Sequence, residues 1–264
     1  MTRRPSPIRH RAGAIAALLV ALGGTTSAAD LTREQVLQAL AAGASEGADF
    51  AGKDLSDLDL SGVDLRRARL RGASLFGSKL VSADLRGADL TGANLNGAWL
   101  MGADFTGARL RDASLLSVVI LGGEVRKMPV FKSADLRGAK IIADLPGADL
   151  SGADLGQARI GVNIRNQGMG QMRTDLTGAK LAGVNFAGAD LNRTLLSFAD
   201  LRGSNLRGAN LFRAKLAGAD LTGADIAGAD FTEAELTGTV LRGARGLAEA
   251  KGLEQAENLD KAVR

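Results

Sequence analysis

Residues 83–107 read Ala83-Asp84-Leu85-Arg86-Gly87, Ala88-Asp89-Leu90-Thr91-Gly92, Ala93-Asn94-Leu95-Asn96-Gly97, Ala98-Trp99-Leu100-Met101-Gly102 and Ala103-Asp104-Phe105-Thr106-Gly107. A small residue, a mostly polar one, Leu or Phe, a variable one and Gly recur without slip. Outward from this stretch, every fifth residue from Phe50 to Ile120 is Leu, Ile or Phe, and the same holds from Leu176 to Leu241. A short fixed period marks a solenoid and outranks local propensity. Period five is neither 3.6 nor 2, so neither a long helix nor a flat strand keeps these residues on one face. A polygonal coil does. Each unit becomes one side, with the Leu and the small residue turned inward. The Gly two places after the Leu falls at a corner, where a positive φ costs it nothing.

The unit A-[D/N]-L-x-G, repeated over about residues 48–245, resembles the pentapeptide-repeat family. The resemblance implies an all-β solenoid, a right-handed quadrilateral β-helix with four units to a coil. About nine coils at the spacing of hydrogen-bonded strands give a rod of roughly 40 Å. The repeat region is set at 46–245.

Both ends are expected to carry short helical caps. Residues 30–45 read as an N-terminal capping helix: Thr32 and Gln35 make a capping box, with Leu31 and Val36 as a hydrophobic staple. Val36, Leu37 and Leu40 would face the column. At the other end, residues 246–264 space Leu247, Leu253 and Leu259 by six and read as a second helical cap, broken at Gly252. Two capped ends predict a monomer.

Two excursions, 121–135 and 161–175, interrupt the period. Each replaces a 15-residue interval by 16, and a four-residue step from Ile141 to Leu145 restores the frame. Ile120 and Ile160 then lie two coils apart, and both excursions should leave from the same side.

The first 29 residues have the form of a Sec-type signal peptide. Arg3, Arg4, Arg9 and Arg11 precede the apolar run Ala12–Gly24, and Thr26-Ser27-Ala28-Ala29 offers small residues for cleavage. A periplasmic or secreted location follows, with no stable membrane anchor after cleavage. The full chain carries 33 basic and 29 acidic residues; losing the four signal arginines leaves 29 of each. The high pI of the whole chain therefore gives no reason to expect nucleic acid. There is no Cys or Tyr, and the one His, His10, lies in the signal. Histidine triads, cysteine nucleophiles and common zinc sites are thereby excluded from the mature chain. No cofactor and no enzymatic activity are expected.

Residues 20 apart stack along the rod. Asp49, Arg69, Asp89 and Arg109 form an alternating charge ladder. Asp64, Asp84 and Asp104 form a carboxylate row that Arg66 and Arg86 can neutralise, and no convergence of oxygens suggests a cation there. The outward positions Phe76, Val81, Trp99, Met101, Leu116, Val119 and Leu121 are apolar where such positions are elsewhere polar. A contiguous apolar patch on a rod is covered or binds something. The excursions, with Met128, Val130, Phe131, Ile164, Met169 and Met172, are expected to lie against one another over part of it.

The sequence thus describes a non-enzymatic periplasmic scaffold presenting a rigid surface to a protein partner. The alternative, implied by the family's best-known branch, is a cytoplasmic DNA mimic acting on DNA gyrase or another topoisomerase, which relies on a strongly acidic surface. N-terminal sequencing of protein from the native host is expected to start at Ala29 or Asp30. An intact Met1 in the cytosolic fraction would contradict export.

Overall fold

The computed structural model describes residues 29–42, 47–120, 127–161 and 173–264. They form a right-handed quadrilateral β-helix. Four ladders of parallel bridges run its length. Side 1 begins Asp49, Arg69, Asp89, Arg109; side 2 begins Asp54, Ser74, Asn94, Ser114; side 3 begins Asp59, Lys79, Trp99, Val119; side 4 begins Asp64, Asp84, Asp104, Val130. Most bridges are single. The two longer strands, β1 (Ser114–Val118) and β2 (Lys140–Ala143), pair in parallel with a bulge after Leu116.

One unit shows why the repeat has its composition. In Ala88–Gly92, Asp89 N donates to Ala68 O of the preceding coil (2.9 Å), and Leu90 N and Gly92 N donate to Arg109 O and Arg111 O of the next (2.7 Å each). Ala88 N closes the preceding corner on Leu85 O (3.0 Å). Only Thr91 N lacks a backbone acceptor, and the Asp89 carboxylate supplies one at 3.1 Å. Where Asp or Asn precedes the Leu, it is thus the acceptor that the backbone cannot provide, an Asx turn built into that side. Gly92 sits at φ +69° with open space where a Cβ would stand, so only backbone conformation favours glycine there.

Inside, the Leu, Ile and Phe positions form one continuous core with the small residues. Phe105 and Phe131 stack with centroids 4.9 Å apart. No coil buries its Leu alone; the next coil covers it.

At the N-terminal end, α1 (Arg33–Ala42) opens with the expected reciprocal cap, Thr32 N to Gln35 Oε1 (2.7 Å) and Gln35 N to Thr32 Oγ1 (3.3 Å). Val36 is fully buried, and Leu31 and Leu40 pack against the core. Leu37, expected on the same face, is 40% exposed, because the stripe follows 36 and 40 around the helix. The edge of the first coil is tied down by Asp30 N to Asp54 O (2.8 Å), Asp54 N to Asp30 Oδ2 (2.9 Å) and Arg33 Nη1 to Asp59 O (2.7 Å).

Three expectations need correction. The C-terminal segment is not a helical cap. Arg245, Lys251, Glu257 and Val263 extend the four ladders, so 246–264 completes a tenth coil. Its sides are six residues long, and the extra residue is absorbed by 3₁₀ turns at Leu253–Gln255 and Leu259–Lys261, each entered through a left-handed residue, Gly252 or Asn258. The argument for a monomer from two helical caps therefore fails at this end.

Both excursions are shorter than expected. Val130 takes its place on side 4 and Phe131 lies in the core, so 130–135 belongs to the coil. Thr174 is buried, its hydroxyl reaching Ile160 O (2.9 Å) and Ile141 O (3.0 Å), and so closes the second interruption.

Nor do the excursions leave from one side. The first follows Val119 at the end of side 3; the second follows Arg159 at the end of side 2. The 40 residues from Ile120 to Ile160 hold seven sides rather than eight, because Ile120 to Phe131 is a single step and Ile141 to Leu145 is a short one. The two departures thus bracket side 3 at its opposite corners. Residues 121–126 and 162–172, on which the contact between the excursions depends, lie outside the described residues.

The core frame gives a direct test. Leu206 is fully buried in mid-column, and Leu206→Ala is expected to cost about 2–5 kcal/mol. Ser204, two residues away, is also fully buried, but its hydroxyl has no partner among the described residues. Ser204→Ala is therefore expected to be neutral or stabilising by up to about 1 kcal/mol. Chemical denaturation of the two variants checks both signs.

Candidate interaction face

The outward positions differ from side to side, and charge pairing separates them. On side 4, Arg66 reaches Asp64 (2.6 Å) and Asp84 (3.6 Å), and Arg86 reaches Asp84 (2.6 Å) and Asp104 (3.9 Å). Arg202 does the same for Asp200 (2.7 Å) and Asp220 (3.9 Å). The carboxylate row is thus a zipper, with one guanidinium laid across each step. The Arg66 side chain, aided by its backbone N–H, holds the Asp64 carboxyl down to about 2. Asp84 and Asp200 are lowered in the same way by Arg86 and Arg202, against the opposing effect of partial burial.

Side 1 carries the alternating ladder, with Arg69 on Asp49 (2.9 Å) and Arg109 on Asp89 (3.4 Å). Burial of Asp89 would raise its pKa; the Thr91 bonds and the Arg109 and Arg71 charges outweigh that and lower it. The Asp49–Arg69 pair is exposed and contributes little to stability, whereas Asp89 is buried and its partners offset the cost of that burial.

Side 3 is different. The structure brings all six expected residues, Phe76, Val81, Trp99, Met101, Leu116 and Val119, to this side and its two corners. Trp99 and Val119 are bridge partners on the side itself. Phe76 and Leu116 occupy the corner shared with side 2, one coil above and below Asn96. The Asn96 amide oxygen accepts from Ser114 Oγ (2.7 Å) and Leu116 N (2.9 Å), which fixes that corner. Val81 and Met101 follow the Leu of side 3 at the opposite corner. Lys79 lies 5.8 Å from the Trp99 ring, a cation–π contact. Phe76 is 51% exposed; the other five are half-buried.

The return of the first interruption runs beside this patch. Gly102 N donates to Lys127 O (2.7 Å), and Met101 and Met128 both pack against the core. Val130 and Phe131, expected to help cover the patch, are committed to side 4 and to the core instead. Leu121 lies outside the described residues.

Sequence reasoning missed a second apolar group. Leu195 stands on side 3, and Phe198 occupies the next corner at φ +59°, 71% exposed, its ring lying over Gly218. A bulky residue in a left-handed corner is strained. The readable signal was a Phe at a position where most units carry Gly.

The comparisons with known proteins agree with this geometry. A family model described as pentapeptide repeats matches in eight copies, over residues 46–77, 68–107, 78–115, 172–208 and 209–245. Among solved structures, HetL, a pentapeptide repeat protein involved in heterocyst differentiation regulation from the cyanobacterium Nostoc sp. strain PCC 7120, is 30% identical. The alignment covers 88% of this chain and 94% of HetL, with a TM-score of 0.54. A pentapeptide repeat protein of the Arabidopsis thaliana thylakoid lumen is 31% identical over 43% of this chain and 65% of its own, with a TM-score of 0.26. Full-length QnrB1, a plasmid-mediated fluoroquinolone resistance protein, is 21% identical over 78% of this chain and 95% of its own, at a TM-score of 0.28. No curated protein sequence matches significantly.

The zipper predicts a pH response. Asp64 has its carboxyl lowered from 3.8 to about 2 in the folded state, so its stabilising effect is complete above about pH 4 and is lost as pH falls toward 2. Arg66→Gln is expected to return the Asp64 titration toward 4 while leaving Asp200, held by Arg202, where it was. Carboxyl carbon shifts followed by NMR between pH 1.5 and 6 would show it.

Proposed function

Because the chain belongs to the pentapeptide repeat family, we propose that it is a non-enzymatic scaffold, exported from the cytoplasm, that presents side 3 to a protein partner. The observation that carries this reading is the outward placement of Phe76, Val81, Trp99, Met101, Leu116 and Val119 on one side of a rod whose other outward positions are mostly polar or charged. Apolar outward residues add nothing to the column, which the inward Leu and Ala positions already fill. Aromatic and Met side chains on a rigid support are the types that dominate protein–protein contacts. The family is built of repeats that act as structural and interaction modules, and the signal-like first 29 residues support a periplasmic site of action.

The reading as a cytoplasmic topoisomerase-directed DNA mimic is less well supported. A mimic needs an unpaired acidic row. Here Arg66, Arg86 and Arg202 cross the acidic steps of side 4, and the chain without its signal has equal numbers of acids and bases.

A photo-crosslinking amino acid at Val81, on side 3, tests the proposal in the native host. It is expected to give a discrete partner adduct in the periplasmic fraction, reduced at least tenfold by Trp99→Ala. The same group at Asp220, on side 4, is expected to give none. Equal adducts from both sides, or adducts only with cytosolic proteins, would overturn it.

A further inference from the structure

On sides 1 and 4, acidic ladder neighbours are all bridged by an arginine: Asp64, Asp84 and Asp104 by Arg66 and Arg86, Asp135 and Asp154 by Arg137, Asp200 and Asp220 by Arg202. Among the described residues, one ladder step is cation on cation. Lys140 and Arg159 are parallel bridge partners on side 2, both exposed, and neither has an ion pair among the described residues. Like charges directly opposite in a sheet are destabilising.

Two further cations adjoin them. Arg173 precedes Thr174, whose hydroxyl reaches Ile160 O, so Arg159 and Arg173 stand on either side of one closure. Arg193 sits in a left-handed corner one coil on, at φ +58°, directly after Asn192, which packs against Gly161. The acid nearest along the ladder is Asp190, the bridge partner of Arg159. Its Oδ1 is taken by the amides of Asn192 (2.8 Å) and Asn210 (2.9 Å).

We propose that Lys140, Arg159, Arg173 and Arg193 form a notch that binds the carboxylates of an acidic segment in a partner polypeptide. The rod itself supplies the geometric precedent. One guanidinium at Arg86 spans Asp84 and Asp104, neighbours at a ladder step of roughly 5 Å. With signs reversed, one carboxylate set between Lys140 and Arg159 makes charge-assisted bonds to both and removes their repulsion. The notch is too short for a lipid surface or a nucleic-acid backbone, each of which needs cations along much of the rod. Beyond it, side 2 carries Asp54, Ser74, Asn94 and Ser114 in one direction and Asp190, Asn210 and Asp230 in the other, with one isolated cation, Lys251, at the far end. It is also continuous with the apolar face. Ser114 pairs with Lys140 and Leu116 with Ile142 in the β1–β2 register, so a partner lying on Leu116 reaches the notch within two residues. The inference deepens the scaffold reading by giving the partner's chemistry, acidic residues beside apolar ones, and in that respect rests on it.

The test uses the mature chain and a labelled octaglutamate peptide, with fluorescence anisotropy at low and at physiological salt. Saturable binding is expected, weakened at least tenfold by Arg159→Glu and by Lys140→Glu, and unchanged in Lys251→Glu at the far end of side 2. Lys140→Glu also places a carboxylate opposite Arg159, so its Tm at low salt should rise while peptide binding falls; this excludes misfolding as the cause. Unaltered binding by the Arg159 variant would overturn the notch. So would tighter binding to phosphatidylglycerol vesicles or duplex DNA than to octaglutamate. The peptide has no apolar residue, so Trp99→Ala should leave its binding unchanged. Failure of side-3 crosslinking with intact glutamate binding would remove the side-3 reading and leave the notch standing.

Discussion

The structure depends on one constraint: most backbone donors of a coil find their partners in the coils above and below. Within a unit such as Ala88–Gly92, one N–H is bonded to the preceding coil, two to the next, one to the preceding corner, and one to the Asp89 side chain. No donor is left for water, but three of the five are satisfied only by a neighbouring coil. The hydrophobic contribution obeys the same rule, since each Leu is covered by the Leu of the neighbouring coil. Folding is therefore a property of the column, and a column has ends. At the N-terminal one, Asp30 and Arg33 meet the exposed edge at Asp54 and Asp59, and α1 lays Val36 over the first coil.

Because the inward positions satisfy the fold, the outward ones are released from it. What they carry can differ from side to side at no cost to the core. Sides 1 and 4 use the freedom to pair charges across coils. Side 3 carries Trp99 and Val119, and both interruptions open at its corners. At the second interruption the Thr174 hydroxyl lies within hydrogen-bond reach of Ile160 O and Ile141 O, so the carbonyls at the break are not left without a donor. A cavity of about 10 Å³ lies among Leu115, Phe131, Ile141, Ile160 and neighbouring residues, near the lower limit for holding one water.

Much of this was legible in the residues, and what was not has identifiable causes. The capping box at Thr32 and Gln35 was readable because a cap is local: its donors and acceptors lie three residues apart. The six residues of the apolar patch could be assembled because the period fixes which outward positions coincide after each turn. The excursions defeated the same logic. Counting fives across Ile120–Leu136 assigns three sides and one spare residue, whereas the chain spends eleven residues on one step and regains the frame at Phe131. The sequence offers no mark for that choice, since Phe131 is equally apolar as a core residue or as a cover. At the C-terminal end, a six-residue interval of Leu is compatible with a helix. The ladder partners at Asp230, Glu235 and Val240 make it a coil instead.

By itself, then, the sequence determined the polygonal cross-section, the inward column, the identity of the corners and the N-terminal cap, because each follows from a spacing repeated many times or from contacts within one turn of chain. Tertiary structure alone decided where the interrupted chain rejoins the column, that both departures flank side 3, that the last residues form a tenth coil, and that Lys140 faces Arg159 with no acid between them. Those outcomes depend on which coil lies next to which, and a single unmarked insertion shifts every later pairing around the square.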